Sequence, residues 1–255
     1  MNADIDRDLE IVQPSALEAL TKGEIDIQIQ TAKSHPRSYR RFRQNATAMA
    51  TLDPEIASQC RYLIKRGNKN IEGPSARLAE IVATAYTNLR VASRVVHEDK
   101  RFITVQGVCH DLESNVAVQV EVRRRITGRS GSTFSDDMIA VTANAALSIA
   151  RRNAIFSVIP GALWKPVADA AAKVASGDSA TLPDRRNKAM DWCRTQGVDE
   201  ANVLFALGAD SWEDVGVEAL EDLQGIAVGI QGGDISASEA FPKPTAKPLF
   251  SETAK

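Results

Sequence analysis

Few side chains in this sequence can hold a metal or attack a substrate. The histidines are His35, His97 and His110, and the cysteines are Cys60, Cys109 and Cys193. Cys109 and His110 adjoin, but with no C-x-x-C and no second cluster they do not read as a zinc site. A buried thiol beside an exposed imidazole is the expectation. Neither G-x-x-x-x-G-K-[S/T] nor a G-x-G-x-x-G after a strand occurs, which argues against nucleotide hydrolysis. "GRSGST" (128–133) is rich in glycine and serine, yet it lacks a lysine and runs into an acidic helix start. A loop is expected there rather than an anion cradle. Asp136 and Asp137 suit the first turn of a helix, where carboxylates complement the dipole. No Ser/His/Asp or Cys/His arrangement suggests itself. The expectation is a protein that is not an enzyme and uses no cofactor.

Positive charge is the remaining chemistry. The chain has 255 residues with 31 Lys and Arg against 33 Asp and Glu, a net charge of -2 that conceals a strong asymmetry. Residues 1–30 carry -5, residues 31–177 carry +10 and residues 178–255 carry -7. A basic middle between acidic ends points to a polyanionic partner. Arg40, Arg41 and Arg43, with Lys33 and Arg37, are interleaved with Tyr39 and Phe42; Lys65, Arg66 and Lys69 follow, then Arg77. Arg90, Arg94, Arg123 and Arg125 fall in β-type runs, and Arg151 and Arg152 in a helical one. Cations that track a phosphate backbone, with aromatics near the bases, are what a sequence-tolerant single-strand binder needs. These thirteen positions, from Arg40 to Arg152 without Lys33 and Arg37, are the candidate DNA-binding residues.

The elements that must position them are legible. Residues 89–96 ("LRVASRVV"), 102–109 ("FITVQGVC") and 116–126 ("VAVQVEVRRRI") alternate with period two and are separated by "HEDKR" and "HDLESN". They predict a three-stranded antiparallel meander with Arg90 and Arg94 on one face. Ser135 is expected to cap a long helix that stops before Pro160. On a helical wheel, Asn144, Ser148, Arg151 and Arg152 form a polar stripe opposite Ile139, Ala143, Ala146 and Ile149. Asp53-Pro54 predicts a helix over 54–66, and Gly73-Pro74 a helix start that continues through residue 86. A second helix follows residue 161, then a linker near 176–184. Beyond it, Gly197 and Gly208 read as C-caps and Asp199 and Ser211 as N-caps of three or four short helices. The fold expected is α+β: a meander packed against helices, with a small all-α C-terminal domain. Its parts are an acidic arm (1–30), a core (31–177), the helical domain (178–240) and a disordered tail (241–255). No run is long and apolar enough for a membrane span, and the acidic N-terminus does not read as a signal peptide. Scattered, odd-numbered cysteines fit reduced thiols in the cytoplasm.

Together, "IEGPSARLAE" (71–80), the meander and "ALSIARRNAIFSVIPG" (146–161) resemble the phage single-strand annealing proteins of the Red-beta, RecT and Erf kind. These are related in fold to the eukaryotic Rad annealing mediator. The resemblance covers residues 55–177, and the segment from residue 186 to 230 is similar to the C-terminal domain many of them carry. It implies ATP-independent annealing of complementary strands by a ring or helical filament of protomers, in a bacterial cytoplasm. It implies a basic groove between sheet and long helix that holds single-stranded DNA and the annealed duplex. Arg151 and Arg152 match the basic residues of the family's long helix, and Arg123 and Arg125 the sheet side of the groove. The C-terminal domain would then recruit a phage exonuclease or the host single-strand-binding protein. Two other readings fit the same residues: a non-annealing DNA-binding or replication accessory protein, and a phage protein that binds host proteins through its acidic helical end.

Overall fold

Period-two alternation makes the sheet. The computed structural model describes residues 16–66, 69–128, 130–175 and 182–243. Strands β3 (Leu89–Glu98), β4 (Phe102–Asp111) and β5 (Val116–Arg125) pair antiparallel in the order β3-β4-β5. Val91 stands across from Cys109 and Cys109 from Val118; Val95 stands across from Val105 and Val105 from Val122. Residues directly opposite share a face, so the apolar partners line one side of the sheet. At the β3–β4 hairpin the Asp99 carboxylate accepts from the backbone N–H of Arg101 (2.7 Å) and of Phe102 (2.8 Å).

The apolar side is covered by α5 (Asp136–Val158), which packs along all three strands. Ser135 caps it by accepting from Met138 N, as the sequence predicts. Its buried alanines, Ala143, Ala146 and Ala150, let the helix backbone approach the sheet closely. A Cβ placed on Gly107 would lie 2.3 Å from Ala150 O. Behind α5 lies a second helical layer of α2 (Tyr39–Ala50), α4 (Ala76–Tyr86) and α6 (Gly161–Ala175). There Phe42, Leu78, Val82, Ile155, Ile159 and Val167 form the main core. The acidic arm is helical within its described part: α1 spans Ala16–Ser34 and stops before His35-Pro36. Residues 1–15 lie outside the description, as do 176–181 of the expected linker and 244–255 of the expected tail.

The stretch between residues 54 and 75 differs from its sequence reading. The helix that begins at Pro54 ends at Ser58 (α3, Pro54–Ser58), and β1 (Arg61–Arg66) pairs with β2 (Lys69–Pro74) as an antiparallel hairpin. Gly67-Asn68 joins the paired Arg66 and Lys69, a two-residue hairpin signal that outweighs the helical spacing of Ile56, Cys60, Leu63 and Ile64. Gly73 and Pro74 end β2 instead of starting a helix. Ser75 is the N-cap of α4, accepting from Leu78 N at 3.2 Å while its hydroxyl donates to Gln59 O at 2.6 Å. Gly73 is needed for space, because a Cβ there would lie 2.8 Å from the Tyr62 hydroxyl.

The C-terminal segment contains α7 (Leu182–Gln196), α8 (Glu200–Leu207), a 3-10 turn (Trp212–Asp214), α9 (Val217–Gln231) and α10 (Ala237–Ala240). Asp199 caps α8, and Gly197 and Gly208 adopt the left-handed conformation expected of C-caps. Ser211 precedes the 3-10 turn and its hydroxyl bonds Asp214 rather than the backbone. These helices do not close their core alone. Leu63 of β1 is buried among Cys193, Val203, Leu220, Leu223 and Ile226, and a Cβ on Gly225 of α9 would meet its Cβ at 2.9 Å. The β1–β2 hairpin thus belongs structurally with the C-terminal helices.

A buried ion network ties the α1–α2 connection to the sheet. The Arg37 guanidinium forms a fork on the Asp111 carboxylate, donates Nε to Glu113 Oε1 (2.9 Å) and stacks 3.9 Å from the Tyr86 ring centroid. Glu113 also accepts from Arg37 N (2.9 Å) and Asn88 Nδ2 (2.6 Å). Burial works against both carboxylates. For Asp111 it is outweighed by the Arg37 fork, and for Glu113 by the Asn88 amide and the Arg37 backbone N–H. Both are held below the ordinary carboxylate range.

Two outcomes are expected. Gly107→Ala destabilises the fold by about 3 kcal/mol, because the clash is with helix backbone rather than a flexible side chain; denaturant unfolding measures it. Lowered folded-state pKa values mean that the network's stabilisation is complete above the ordinary carboxylate range and lost as pH falls below about 4. Arg37→Leu leaves Asp111 buried without its cation, costs about 3–5 kcal/mol at pH 7 and flattens this acid limb. Thermal unfolding of both proteins between pH 7 and pH 3 checks it.

Candidate nucleic-acid interface

With α5 on one side of the sheet, the register assigns the other. Arg94 stands across from Gln106 and Gln106 from Glu121; His97 across from Thr104 and Thr104 from Arg123. Phe102 is opposite Arg125, and Arg90 opposite His110. Arg90, Arg94, Arg123 and Arg125 therefore lie on the face away from α5, with Glu121 as the acidic residue among these strand pairs. No helix among the described residues lies along this face. α1 reaches its edge, where Gln28 Oε1 accepts from Arg90 Nη1 at 3.1 Å.

The face has an aromatic at one end. The Arg123 guanidinium lies 3.9 Å from the centroid of the Phe102 ring and that of Arg101 lies 5.7 Å away. Asp99 holds the hairpin under this ring, its carboxyl lowered by the N–H groups of Arg101 and Phe102 and by nearby Arg123. Arg125 donates Nε to Thr127 Oγ1 at 2.7 Å, which steadies its outward course. Guanidinium groups with a stackable ring are the components that hold phosphates and an unpaired base together.

The other candidates fall elsewhere. Arg40, Arg41 and Arg43 are exposed on α2, and no ion pair joins them to an acid among the described residues. Tyr39, Arg40, Arg43, Gln44 and Leu163 line a shallow cleft of about 790 Å³ there, in the helical layer behind α5. Arg77 of α4 and Arg151 of α5 share Glu80, at 3.4 and 3.0 Å, on the flank where those helices meet. Lys65 pairs with Asp222 of α9 at 3.0 Å. The strand positions of Arg66 and Lys69 are described but their side chains are not.

Two expectations need correction. Arg152 does not share an exposed stripe with Arg151: neighbouring helical residues point about 100° apart. It is buried in an ion pair with Asp234, at 2.8 Å, with side chains 8% and 9% exposed. The second correction concerns the basic groove between sheet and long helix. Within this chain that space is filled where α5 seats on Gly107, and Arg123 and Arg125 look the opposite way. Arg124, the inward residue between them, donates to Gly233 O at 3.0 Å. Sequence reasoning passed over Arg124 and Phe102, though the same alternation places one inside and the other beside Arg125.

The cysteines are all buried and free. Burial pushes the thiols of Cys60 and Cys193 up to about 11 and that of Cys109 to about 12, so none is a thiolate near neutral pH. Among the described residues no helix is long and apolar enough to cross a membrane. No protein-family model matches the chain, and no curated protein or solved structure matches it either.

Proposed function

We propose that this protein binds single-stranded DNA across the open face of its sheet and, as a homo-oligomer, anneals complementary strands without ATP. The observation that carries the binding is the register that sets Arg90, Arg94, Arg123 and Arg125 on the face away from α5, with Phe102 among them and α1 touching only its Arg90 edge among the described residues. Cations neutralise phosphates, and a ring stacks any base equally well, so such a face binds strands without reading sequence.

Annealing, a ring or filament of protomers, and a phage recombinase working in a bacterial cytoplasm rest on the resemblance of "GPSARLAE" and "ALSIARRNAIFSVIPG" around the meander. Recruitment of an exonuclease or a host single-strand-binding protein would fall to the acidic C-terminal helices. Phe205, 54% exposed on α8, and the exposed carboxylates Asp210 and Glu213 that follow it in the sequence favour that use.

The test is fluorescence annealing of two complementary oligonucleotides without ATP, with wild type beside Arg94→Ala/Arg123→Ala. Wild type is expected to bind in a salt-dependent way and to accelerate pairing. The variant is expected to lose affinity and about 0.7 in salt slope for each phosphate contact removed. Binding without acceleration selects the non-annealing reading. No binding by wild type at low salt removes the DNA reading and leaves a host-protein partner.

A further inference from the structure

α1 is a helix with little of its own chain to pack on. Between residues 21 and 34 only Ala32 is buried; Ile25 and Ile29 are half-buried and Ile27 is 65% exposed. No other helix or strand among the described residues packs along it. Helices in proteins hold chiefly through one face packed on a partner, and Gly23 with Ile25, Ile27 and Ile29 gives α1 little propensity to hold by itself. Ile25, Ile29 and Ala32, at i, i+4 and i+7, share the side toward the body. Glu24, Ile27 and Thr31, at i, i+3 and i+7, share the side turned away, and Lys22 and Lys33 lie at least about 160° around the helix from Glu24. The outward face therefore carries an acid, an exposed isoleucine and no lysine.

The cleft on α2 offers the complement. Arg40, Arg43, Thr47 and Thr51 follow one another along it at i, i+3, i+7 and i+11, a row of about 16 Å or three helical turns. Tyr39, 58% exposed, and Leu163 of α6 add apolar surface, and Leu52, next after Thr51, is 72% exposed. Arg40, Arg41 and Arg43 pair with no acid among the described residues, and Glu24 pairs with no cation. The arm that contains α1 carries -5 over residues 1–30.

We propose that α1 of one protomer docks in the α2 cleft of a second copy of this chain, with Ile27 against Tyr39 and Leu163 and Glu24 at Arg40 and Arg43. The inference rests on the homo-oligomer part of the reading above and deepens it; it does not depend on the sheet face. A helix that lays an exposed apolar residue into a groove is a recurring mode of recognition, and opposite charge sets its partner and register. Helix and cleft are different surfaces, so the contact is heterologous. It repeats head to tail, and each protomer added leaves one helix and one cleft for the next. Arg40, Arg41 and Arg43 then join subunits rather than hold phosphates.

Ile27→Lys breaks the helix side of the contact and Arg40→Glu/Arg43→Glu breaks the cleft side. All three side chains are exposed, so both variants keep the fold, which circular dichroism checks. Sedimentation velocity of the full chain is measured at low salt for wild type, each variant and their equimolar mixture. Wild type is expected to assemble, and each variant to need a concentration at least about tenfold higher to do so. The mixture is expected to form a heterodimer and nothing larger, because it contains one intact cleft and one intact helix per pair. Variants that assemble like wild type overturn the proposal and leave the homo-oligomer reading standing on another contact. Dissociation of Arg40→Glu/Arg43→Glu alone also overturns it, since the cleft then takes a different acidic segment. So does an Arg40→Glu/Arg43→Glu protein that stays assembled but loses affinity for a single-stranded oligonucleotide, which makes phosphate the occupant. Wild type that remains monomeric removes the homo-oligomer reading together with this contact, while salt-dependent binding by that monomer retains the sheet face.

Discussion

The seating of α5 on Gly107 decides which way everything else on the sheet faces. At the centre of β4 the helix backbone replaces a side chain, and a single methyl group there would strike Ala150 O. Once the helix occupies that side, period-two alternation leaves no choice for the remaining residues. Val91 of β3 and Val118, Val120 and Val122 of β5 turn toward the helix side, and Arg90, Arg94, Arg123 and Arg125 turn away. A shift of register by one residue would bury those arginines under α5 and expose the valines. The basic face turned away from α5 is thus a consequence of one close backbone contact combined with the pleat.

Arginine serves three separate purposes in this chain, and counting charge conflates them. Arg37 is a buried structural cation whose two carboxylates and one aromatic ring join three segments that are distant in sequence. Arg124 and Arg152 clamp the C-terminal turn. Arg94, Arg40, Arg41 and Arg43 are exposed and lack an ion pair to any acid among the described residues. A charge of +10 over residues 31–177 therefore overstates the surface open to a polyanion. Planar, forked donors suit both buried pairing and phosphate contact, and composition cannot separate the two uses.

Much of the fold is legible because its signals are local. Alternation in "VAVQVEV" defines β5 and its faces, Ser135 with Asp136 and Asp137 defines the start of α5, and Asp199, Gly197 and Gly208 bound the short helices. The hairpin β1–β2 was hidden by competition between two local signals. Asp53-Pro54 starts a helix, but Arg66 pairs with Lys69 in a hairpin, and Leu63 is claimed by α9 more than 150 positions later. Long-range partners explain the misplaced site residues as well. Arg152 looked exposed on a wheel because Asp234 is invisible to any local pattern, while Arg123 and Arg125 followed from alternation alone.

The central claim is that single-stranded DNA lies on the open face of the sheet. Photo-cross-linking with an oligonucleotide that carries iodouracil, followed by mass spectrometry of the modified peptides, addresses it directly. The account predicts adducts on Phe102 and His97, whose side chains share that face with Arg94 and Arg123. Adducts confined to α2 around Tyr39, with none on β3, β4 or β5, would contradict it.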